Sequence, residues 1–536
     1  MKKRLYVISL IAVIAIFTYL IFFGSKGVSI TGKSAAPDAK LFTSYCMPCH
    51  GEAGKGDGQL AYLLYPKPRN FTKGVFKLRS TPTGQVPTDA DLEGTIRNGM
   101  PGTAMPSFYF LNGDQIKLLT GYVKQLSQEC SEPGKPCRNF FADQNPQPIP
   151  VPDLLPRSDS LLERGKSAYS QLGCVQCHGE SGKGDGVSAA ELKDDWGYPI
   201  KVRDFTQGVY VGGGEPKDLY VRFLAGLNGT PMPSYADTIK YLGQTDQERQ
   251  EIVWGLIHYV KNLETEQAKA NQAKPPKDGI LLAEKTGENK TEAELTDAHH
   301  PDWEKASAVA IPISRLWQRD STNSSLVNVR TLYNKDYLAM MLEWNDPSMD
   351  AGNYRVQDFQ DGAAVQFSMT EIPGFQGMGQ TSNPCNLWFW RSEWQMRADA
   401  KLKADIKYAY RNRASDSDVT TYPAEMQDEA ILAGRDAVNP VSLQTIKSPV
   451  EDLNAKGPGT LTSQPPKEQN VMGKGVWDGK TWRVVFVRKL RNGEPNDVQL
   501  KENNLYPIAF AVWNGMEKDR NGQKLISTWY SLRFQQ

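Results

Sequence analysis

The chain is poor in the features that mark the commonest enzyme and nucleic-acid-binding classes. Its 62 basic and 61 acidic residues leave a net charge of +1, and without a basic footprint there is no reason to expect nucleic acid as a partner. The sequence contains no P-loop, no dinucleotide fingerprint and no Ser-His-Asp arrangement. Histidine is scarce, and His299 and His300 are the only two in the C-terminal half. The chemistry therefore has to come from other residue patterns.

Long apolar runs are also missing, apart from one at the N-terminus. Lys2, Lys3 and Arg4 precede nineteen mainly apolar residues, Leu5–Phe23. The apolar part of a signal peptide has about 7–15 residues, whereas a bilayer-spanning helix needs about 20. We therefore expect an uncleaved single-pass membrane anchor in preference to a cleaved signal. The basic residues would stay in the cytoplasm, with the soluble domains on the periplasmic side.

Four of the seven cysteines fall in two Cys-x-x-Cys-His pentapeptides, residues 46–50 and 174–178, each followed by a nearly identical Gly-Lys-Gly-Asp-Gly run. This pentapeptide is the attachment site of a c-type haem, in which both thiols bond the porphyrin and the histidine ligates the iron. Zinc or dithiol chemistry is the alternative, but zinc ribbons place their cysteine pairs about 15–20 residues apart. We therefore expect two covalent c haems, attached and ligated by Cys46, Cys49 and His50, and by Cys174, Cys177 and His178.

The motifs belong to a longer internal repeat. RNFTKGVF at 69–76 recurs as RDFTQGVY at 203–210, and TAMPSF at 103–108 recurs as TPMPSY at 230–235. Each copy ends in an amphipathic stretch with apolar residues at helical spacing. Two copies with the same landmarks in the same order predict two small helical domains joined by a proline-rich strip.

Each copy also offers a sixth iron ligand at the same place. Met105 and Met232 both precede proline in a loop just before the closing helix, and a thioether ligand raises the reduction potential of a haem. Met100 is a rival in the first copy only. Core filling is the ordinary role of a single methionine, but recurrence in both copies favours ligation by Met105 and Met232.

Three cysteines remain outside the haem motifs. Cys130 and Cys137 lie seven residues apart in a Pro/Gly-containing segment, where a disulfide and two free thiols are both open. Cys385 has no obvious partner, and we expect it to behave as a small buried hydrophobe.

Beyond a polar stretch that follows Leu263, the chain becomes rich in β-branched and aromatic runs bounded by turn residues. This pattern is typical of a β-sandwich. The predicted strands lie at residues 337–344, 363–367, 386–390, 482–487 and 507–513.

The two repeats resemble small class I cytochromes c over about 38–128 and 158–263, on the motifs given above. The β region resembles the haem-b (gamma) subunit of the molybdenum enzymes related to ethylbenzene dehydrogenase, a group that includes nitrite oxidoreductase. The motifs that support this are FQDGAAVQF, Met378-Gly379 followed by NPCNLWFWR, SPVEDLNAKGPGTLT, GVWDGKTWRVVFVRKL and the closing AFAVWNG and GQKLISTWYSLRF. The resemblance implies a non-covalent haem b ligated by Met378 and Lys524. A Met/Lys ligand pair agrees with the scarcity of histidine in the β region. A lysine that ligates iron must be neutral, and burial favours its neutral form.

The fold class predicted from these patterns is a multidomain chain with an N-terminal transmembrane helix, two all-α cytochrome c domains and a C-terminal, mainly-β sandwich. The predicted segments are a membrane anchor with a short linker over 1–35, cytochrome c domains over 36–130 and 158–264, a proline-rich linker over 131–157, a polar linker over 265–304, and the haem-b-binding domain over 305–536.

The expected function is a membrane-anchored electron-transfer subunit of a periplasmic-side molybdenum oxidoreductase complex, with nitrite oxidoreductase as the nearest analogy. The expected partners are a molybdopterin catalytic subunit, an iron–sulfur subunit, and a cytochrome c or terminal oxidase as acceptor. Two alternatives stay open. One is a di-haem c peroxidase, which would need an iron with an open position, and the other is a cytochrome c whose sandwich is a binding module without haem.

Overall fold

A computed structural model describes most of the chain beyond the N-terminal segment. The described residues are 37–101, 103–130, 136–265, 279–315, 324–351, 358–371, 373–374, 378–399, 448–457 and 459–535.

The first part of the described chain folds into two helical units with the same order of elements. The first unit contains α1 (Pro37–Tyr45), α2 (Met47–His50), a 3-10 turn (Phe71–Lys73), α3 (Asp89–Asn98) and α4 (Gly113–Leu126). The second contains α5 (Asp159–Gln171), α6 (Cys174–His178), 3-10 turns (Ala189–Glu191 and Phe205–Gln207), α7 (Pro216–Ala225), α8 (Ala236–Leu242) and α9 (Asp246–Asn262).

In the second unit, the first and last long helices cross at a pair of glycines. A Cβ added at Gly165 of α5 would lie 1.9 Å from the carbonyl oxygen of Gly255 in α9, so the two backbones are in direct contact. Apolar residues on both sides of the crossing, including Leu161, Tyr169 and Trp254, are buried in the core of this unit. The crossing therefore brings the first and last long helices of the unit into direct contact.

The proline-rich strip lies against both helical units. The amide of Ile149 donates to the carbonyl oxygen of Ser80 in the first unit at 2.7 Å, and the Nε2 atom of His258 in α9 lies 2.9 Å from the carbonyl oxygen of Leu155. Upstream of the strip, two short paired strands, β1 (Gln128–Glu129) and β2 (Arg138–Asn139), are joined by a Cys130–Cys137 disulfide. The sequence left a disulfide and two free thiols both open for Cys130 and Cys137, and the structure contains the disulfide.

The remaining described chain is mainly β. Its helices are short: α10 (Glu292–Thr296), α11 (Asp302–Lys305), α12 (Ser392–Ala398) and a 3-10 turn (Pro466–Glu468). Its strands are β3 (Ile280–Lys285), β4 (Val309–Arg315), β5 (Ser324–Tyr333), β6 (Tyr337–Asn345), β7 (Gly362–Ser368), β8 (Cys385–Arg391), β9 (Val450–Ala455), β10 (Thr462–Ser463), β11 (Met472–Trp477), β12 (Thr481–Lys489), β13 (Tyr506–Trp513), β14 (Leu525–Ile526) and β15 (Tyr530–Phe534).

Hydrogen bonds join these strands into one sheet that folds back on itself. The main path runs β10-β9-β8-β7-β13-β14-β4-β5-β6-β12-β11, and β15 and β3 branch from it. Trp390 of β8 lies 4.8 Å from Trp482 of β12 between ring centroids, and 6.4 Å from Trp344 of β6. Because β8 is not a neighbour of β6 or β12 in the sheet, its tryptophan meets theirs across a core between two packed layers.

The sheet takes in part of the segment that the sequence analysis assigns to a polar linker. Residues 280–285 form β3, which pairs in parallel with β15 and with β5. Leu281 and Ala283 are buried in the core of the sheet, whereas Leu282 between them is 44% exposed. The alternation of buried and exposed residues extends over only six residues. Because polar residues surround this short run, the sequence pattern does not predict the strand.

The prediction of a transmembrane helix is wrong for the part of the chain that the structure describes. Within those residues no helix is long and apolar enough to cross a bilayer, and the longest helix, α9, has 17 residues. Residues 5–23, to which the sequence analysis assigns the helix, lie outside the described residues. The described residues therefore do not support the transmembrane helix of the predicted fold class or the single-pass localisation that depended on it.

The glycine crossing yields a stability prediction. Gly165→Ala should lower the free energy of unfolding by about 1–3 kcal/mol, because the new methyl group would overlap the Gly255 carbonyl and force α5 away from α9. Thermal unfolding followed by circular dichroism measures the loss.

A matched control is available in helix α4. A Cβ added at Gly121 meets no atom within 4 Å, so Gly121→Ala should stabilise the protein by about 0.5–1 kcal/mol through helix propensity alone. Equal unfolding temperatures for Gly165→Ala and Gly121→Ala would show that the backbones of α5 and α9 are not in direct contact at Gly165.

Candidate functional site

Each Cys-x-x-Cys-His motif forms a short helix whose histidine is held by a backbone carbonyl. The Nδ1 atom of His50 lies 2.9 Å from the carbonyl oxygen of Arg69, and the Nδ1 atom of His178 lies 3.1 Å from that of Arg203. A carbonyl can only accept, so Nδ1 carries the proton and Nε2 keeps its lone pair. Both imidazoles are thus in the tautomer that an iron ligand requires.

The surroundings keep both imidazoles neutral. Burial lowers the pKa of His50 to about 4, against the opposing hydrogen bond to the Arg69 carbonyl, and burial lowers the pKa of His178 to about 4 in the same way. Aromatic rings cover the imidazoles, since Phe71 stacks on His50 at 4.4 Å and Phe205 on His178 at 4.1 Å between centroids. A neutral imidazole with a fixed ring plane is ready to bind a metal without losing a proton.

The glycine-rich run after each motif wraps back over the motif helix. The amide of Gly56 donates to the carbonyl oxygen of His50 at 2.8 Å, and that of Gly184 donates to His178 at 2.9 Å. The glycine directly after each histidine, Gly51 or Gly179, has a φ of 76° or 74°, a left-handed conformation that favours glycine. The two loops therefore repeat in three dimensions as they do in sequence.

The loops that carry Met105 and Met232 are also alike. In each, the methionine carbonyl accepts a backbone hydrogen bond at 3.1 Å, from Met100 in the first unit and from Leu227 in the second. Met232 packs against the core cluster that contains Cys174, whereas Cys49 packs with Ala104, the neighbour of Met105. The structure thus places each methionine loop beside the motif of its own unit, while ligation by sulfur remains a prediction.

The four motif cysteines fit covalent attachment. None of them is disulfide-bonded, although the members of each pair are only three positions apart. Burial raises the pKa of the Cys46 and Cys49 thiols to about 12 and that of Cys174 to about 11, so these thiols are neutral in the unmodified chain.

The β region contains a cleft that brings the two residues of the implied haem b site together. Met378 and Lys524 are 146 positions apart in sequence, and both line this cleft. The cleft holds a cavity of about 40 Å³ and opens to solvent, and its walls include Trp513 and Trp529. Trp529 has a buried indole nitrogen with no hydrogen-bond partner among the described residues. A largely apolar cleft with few polar groups is typical of a cofactor site.

The backbone at Met378 is held in an unfavourable conformation. Its φ is 66°, a left-handed value that costs a non-glycine residue about 1–3 kcal/mol. Two hydrogen bonds hold it there, because its amide donates to Oε1 of Gln366 at 3.2 Å and its carbonyl accepts from Gly457 at 2.8 Å. Strain of this kind is concentrated at functional sites.

The amine of Lys524 is shifted toward the neutral form. Its side chain is partly exposed by surface area, but the protein atoms around the Nζ atom desolvate it, and this burial lowers the pKa of Lys524 to about 8. Its neighbours are the Trp513 ring, 4.8 Å from Nζ to the centroid, and the carbonyl oxygen of Asn521 at 3.5 Å. An amine with a lowered pKa can give its lone pair to iron more readily than an ordinary lysine.

The first helical unit packs on the wall of this cleft. Ile526 of β14 lines the cleft and also packs against the apolar cluster of Cys49, Leu64 and Ala104. Close by, the hydroxyl of Ser107 donates to the carbonyl oxygen of Trp529 at 3.1 Å. The Ile526 side chain therefore lies between the β cleft and Cys49 of the first Cys-x-x-Cys-His motif.

Comparisons with known proteins agree with this two-part construction. The family model for cytochrome c matches residues 36–127 and 162–264, and the model for ethylbenzene dehydrogenase matches residues 300–525. The chain therefore contains two cytochrome c domains and one domain of the ethylbenzene dehydrogenase type. Its β region is of the gamma-subunit type in the ethylbenzene dehydrogenase family.

Among individual relatives, a protein of Haloferax mediterranei named as a respiratory nitrate reductase heme subunit is 27% identical over 43% of this chain and 66% of its own length. The chlorate reductase gamma subunit of Ideonella dechloratans is 25% identical over 37% of this chain and 60% of its own length. The chain thus spans just under two thirds of each. A chain of the reducing HAO-like protein complex of Kuenenia stuttgartiensis is 39% identical, covering 43% of this chain and 96% of that one, with a TM-score of 0.38.

Sequence reasoning missed the supporting residues of these cytochrome c and ethylbenzene dehydrogenase-type sites. The carbonyls of Arg69 and Arg203 lie in the repeated RNF and RDF runs, which the sequence analysis used only as landmarks, so their recurrence was the available signal. Ile526 has no such signal, because only the packing of two domains gives it a role.

The cytochrome c assignment makes a prediction about the sixth ligands. Met105→Ala and Met232→Ala should each abolish the sulfur-to-iron absorption band of one haem c and lower its reduction potential, because the thioether is lost. Visible spectroscopy with a redox titration measures both. Met100→Ala is the control and should leave the band intact, and loss of the band in this variant alone would move the ligand from Met105 to Met100.

The implied haem b site makes a prediction about pH. A protonated ammonium cannot ligate iron, so haem b affinity should be constant above pH 8 and fall about tenfold for each pH unit below it. Titrating the haem-b-depleted protein with haem between about pH 6 and pH 10, a range that brackets this pKa, measures the effect. Lys524→Leu should bind weakly at every pH, whereas Lys467→Leu, at an 83% exposed side chain, should behave as wild type. A flat profile for the wild type would argue against the lysine ligand.

Proposed function

We propose that this chain is the haem-carrying electron-transfer subunit of a molybdenum oxidoreductase complex. It would carry two covalent c haems and one non-covalent haem b. Each haem supplies an iron that gains or loses one electron between its ferric and ferrous forms. Electrons would pass between the iron–sulfur clusters of a partner subunit and the haem b cleft, and then through the two helical units to an acceptor such as a cytochrome c.

The observation that carries this proposal is the double contact of Ile526. Its side chain belongs to the wall of the cleft lined by Met378 and Lys524, and to the apolar cluster around Cys49. Electron transfer between two centres is favoured by closely packed atoms between them. The chain would thus join its β cleft to its first helical unit by direct packing.

The substrate of the complex belongs to the proposal as well. One relative is named as a heme subunit of a respiratory nitrate reductase, and nitrate reduction is nitrite oxidation run in the opposite direction. We favour the nitrite/nitrate couple for this complex on that ground and by analogy with nitrite oxidoreductase, with a molybdopterin subunit performing the oxygen-atom transfer.

Purification of the full chain under mild conditions from its own cells tests the proposal. The preparation should contain molybdenum and iron–sulfur clusters in partner subunits, two haem c and one extractable haem b per chain by pyridine haemochrome analysis, and haem bands that are reduced when nitrite is added. A chain that purifies alone without molybdenum, or that turns over peroxide rapidly, would contradict it and favour the peroxidase alternative. Absence of extractable haem b would make the β region a binding module.

The contact itself is tested with Ile526→Ala. This change removes packed atoms between the two sites, so an electron injected by a laser flash should pass more slowly between haem b and the first c haem. Leu461→Ala, at a 46% exposed position of the same β region, is the control and should leave this rate unchanged. Equal rates in the two variants would show that electrons take another path.

A further inference from the structure

The segment that carries Met232 in the second helical unit is held by a residue of the first unit. We call this segment the Met232 loop and define it as residues 225–233, from the last residue of α7 to the proline after the methionine. The Nη2 atom of Arg79 donates to the carbonyl oxygen of Ala225 at 2.6 Å and to Oδ1 of Asn228 at 2.9 Å. The loop is therefore attached to the first unit at two points.

The side chain of Arg79 is fixed in this position. It is 2% exposed, and its Nη1 atom donates to the carbonyl oxygen of Thr81 in its own unit, which orients the plane of the guanidinium. Ala225 is the last residue of α7, where helix carbonyls lack partners within the helix and a positive charge is favourable. Hydrogen bonds from a charged donor are also stronger than those from a neutral one. Arg79 thus caps α7 from outside the unit that contains it.

Short contacts inside the loop connect its start to the methionine. The amide of Leu227 donates to the carbonyl oxygen of Met232 at 3.1 Å, and the amide of Thr230 donates to the carbonyl oxygen of Leu227 at 3.1 Å. A Cβ added at Gly226 would lie 2.7 Å from the carbonyl carbon of Pro233, so the two ends of the loop are in direct contact. A displacement at the start of the loop would therefore move the methionine backbone.

The loop that carries Met105 in the first unit is also held from outside, but by other residues. The hydroxyl of Ser314 in β4 of the β region donates to the carbonyl oxygen of Thr103 at 3.3 Å. Arg79 has no counterpart in the second copy of the repeat, because Gly213 stands at the matching position. The contact between Arg79 and the Met232 loop is therefore a feature of how the units are joined, and the repeat itself does not supply it.

We propose that Arg79 is a positioning residue for the sixth ligand of the second c haem. By fixing the start of the Met232 loop, it lowers the conformational entropy that the loop loses when the sulfur binds the iron, and so it strengthens that bond. The first unit would thereby influence the haem of the second, because the thioether ligand raises the reduction potential. The inference rests on the c haems of the proposed function and deepens it by giving one of them an interdomain residue. Arg79 itself does not touch the iron.

The test introduces Arg79→Met into the full haem-loaded chain and measures how well imidazole competes with the methionine sulfur for the iron. The chain also carries Met105→Ala, so the sulfur-to-iron absorption band that remains belongs to the second c haem. Arg79→Met should raise the apparent affinity for imidazole, read from loss of this band, by about tenfold, which is the equilibrium effect of one lost charge-assisted hydrogen bond.

The matched control is Arg138→Met, which removes an exposed arginine of β2 whose guanidinium lies 5.9 Å from the Phe140 ring centroid, and it should leave the imidazole affinity unchanged. Asn228→Ala removes one acceptor on the side of the second unit, and it should raise the affinity by a smaller factor than Arg79→Met. Hydrogen exchange provides a readout that does not depend on iron. The amide of Leu227 should exchange faster in Arg79→Met, whereas the amides of α9 should remain protected if the unit is folded.

Equal imidazole affinities in Arg79→Met and Arg138→Met, with α9 protected in both, would overturn the role of Arg79 and leave the electron relay intact. Faster exchange in the loop without a change in imidazole affinity would have the same meaning. Absence of a sulfur-to-iron band in the Met105→Ala parent would overturn ligation by Met232 and this inference with it. Absence of covalent haem in the wild-type chain would overturn the proposed function as well.

Discussion

The hydrogen bond from each motif histidine to an arginine carbonyl is the constraint on which the helical units depend. It fixes the imidazole tautomer, it fixes the ring plane beneath a stacked phenylalanine, and it does so identically for His50 and His178. Because the acceptor is a backbone atom, this hydrogen bond does not use the arginine side chain. At Arg69 that side chain extends into the interface with the second unit. Arg69 thus accepts a hydrogen bond from His50 through its backbone and contacts the second helical unit through its side chain.

A second physical theme is the use of burial to shift ionisable groups toward their neutral forms. Desolvation lowers the pKa of the two motif histidines and of Lys524, and it raises the pKa of the motif cysteines. Neutral forms are the ones that ligate iron through nitrogen or form thioethers, so the fold prepares these groups without charged partners.

Local patterns predicted much of this molecule. The closing helices and the leading helix of the second unit lie where the apolar spacing places them, and the strands at 337–345, 362–368 and 481–489 extend the predicted runs by one or two residues. Burial of Cys385 is confirmed as well. The patterns failed for elements that form only by pairing with other strands. One example is β14, which has two residues and pairs with β4 and β13. A strand of that length carries no periodicity to detect.

The sequence by itself determined that each Cys-x-x-Cys-His motif forms one local unit with its glycine-rich run, because the thiols, the imidazole and the glycines that follow lie within about a dozen residues and act at close range. It also determined that the chain has two copies of one helical unit. The tertiary structure alone decided which sites are neighbours: that Met378 and Lys524 share a cleft, that Ile526 separates this cleft from Cys49, and that Arg69 meets the second unit. Such relations join residues up to several hundred positions apart, and only the packing of folded domains creates them.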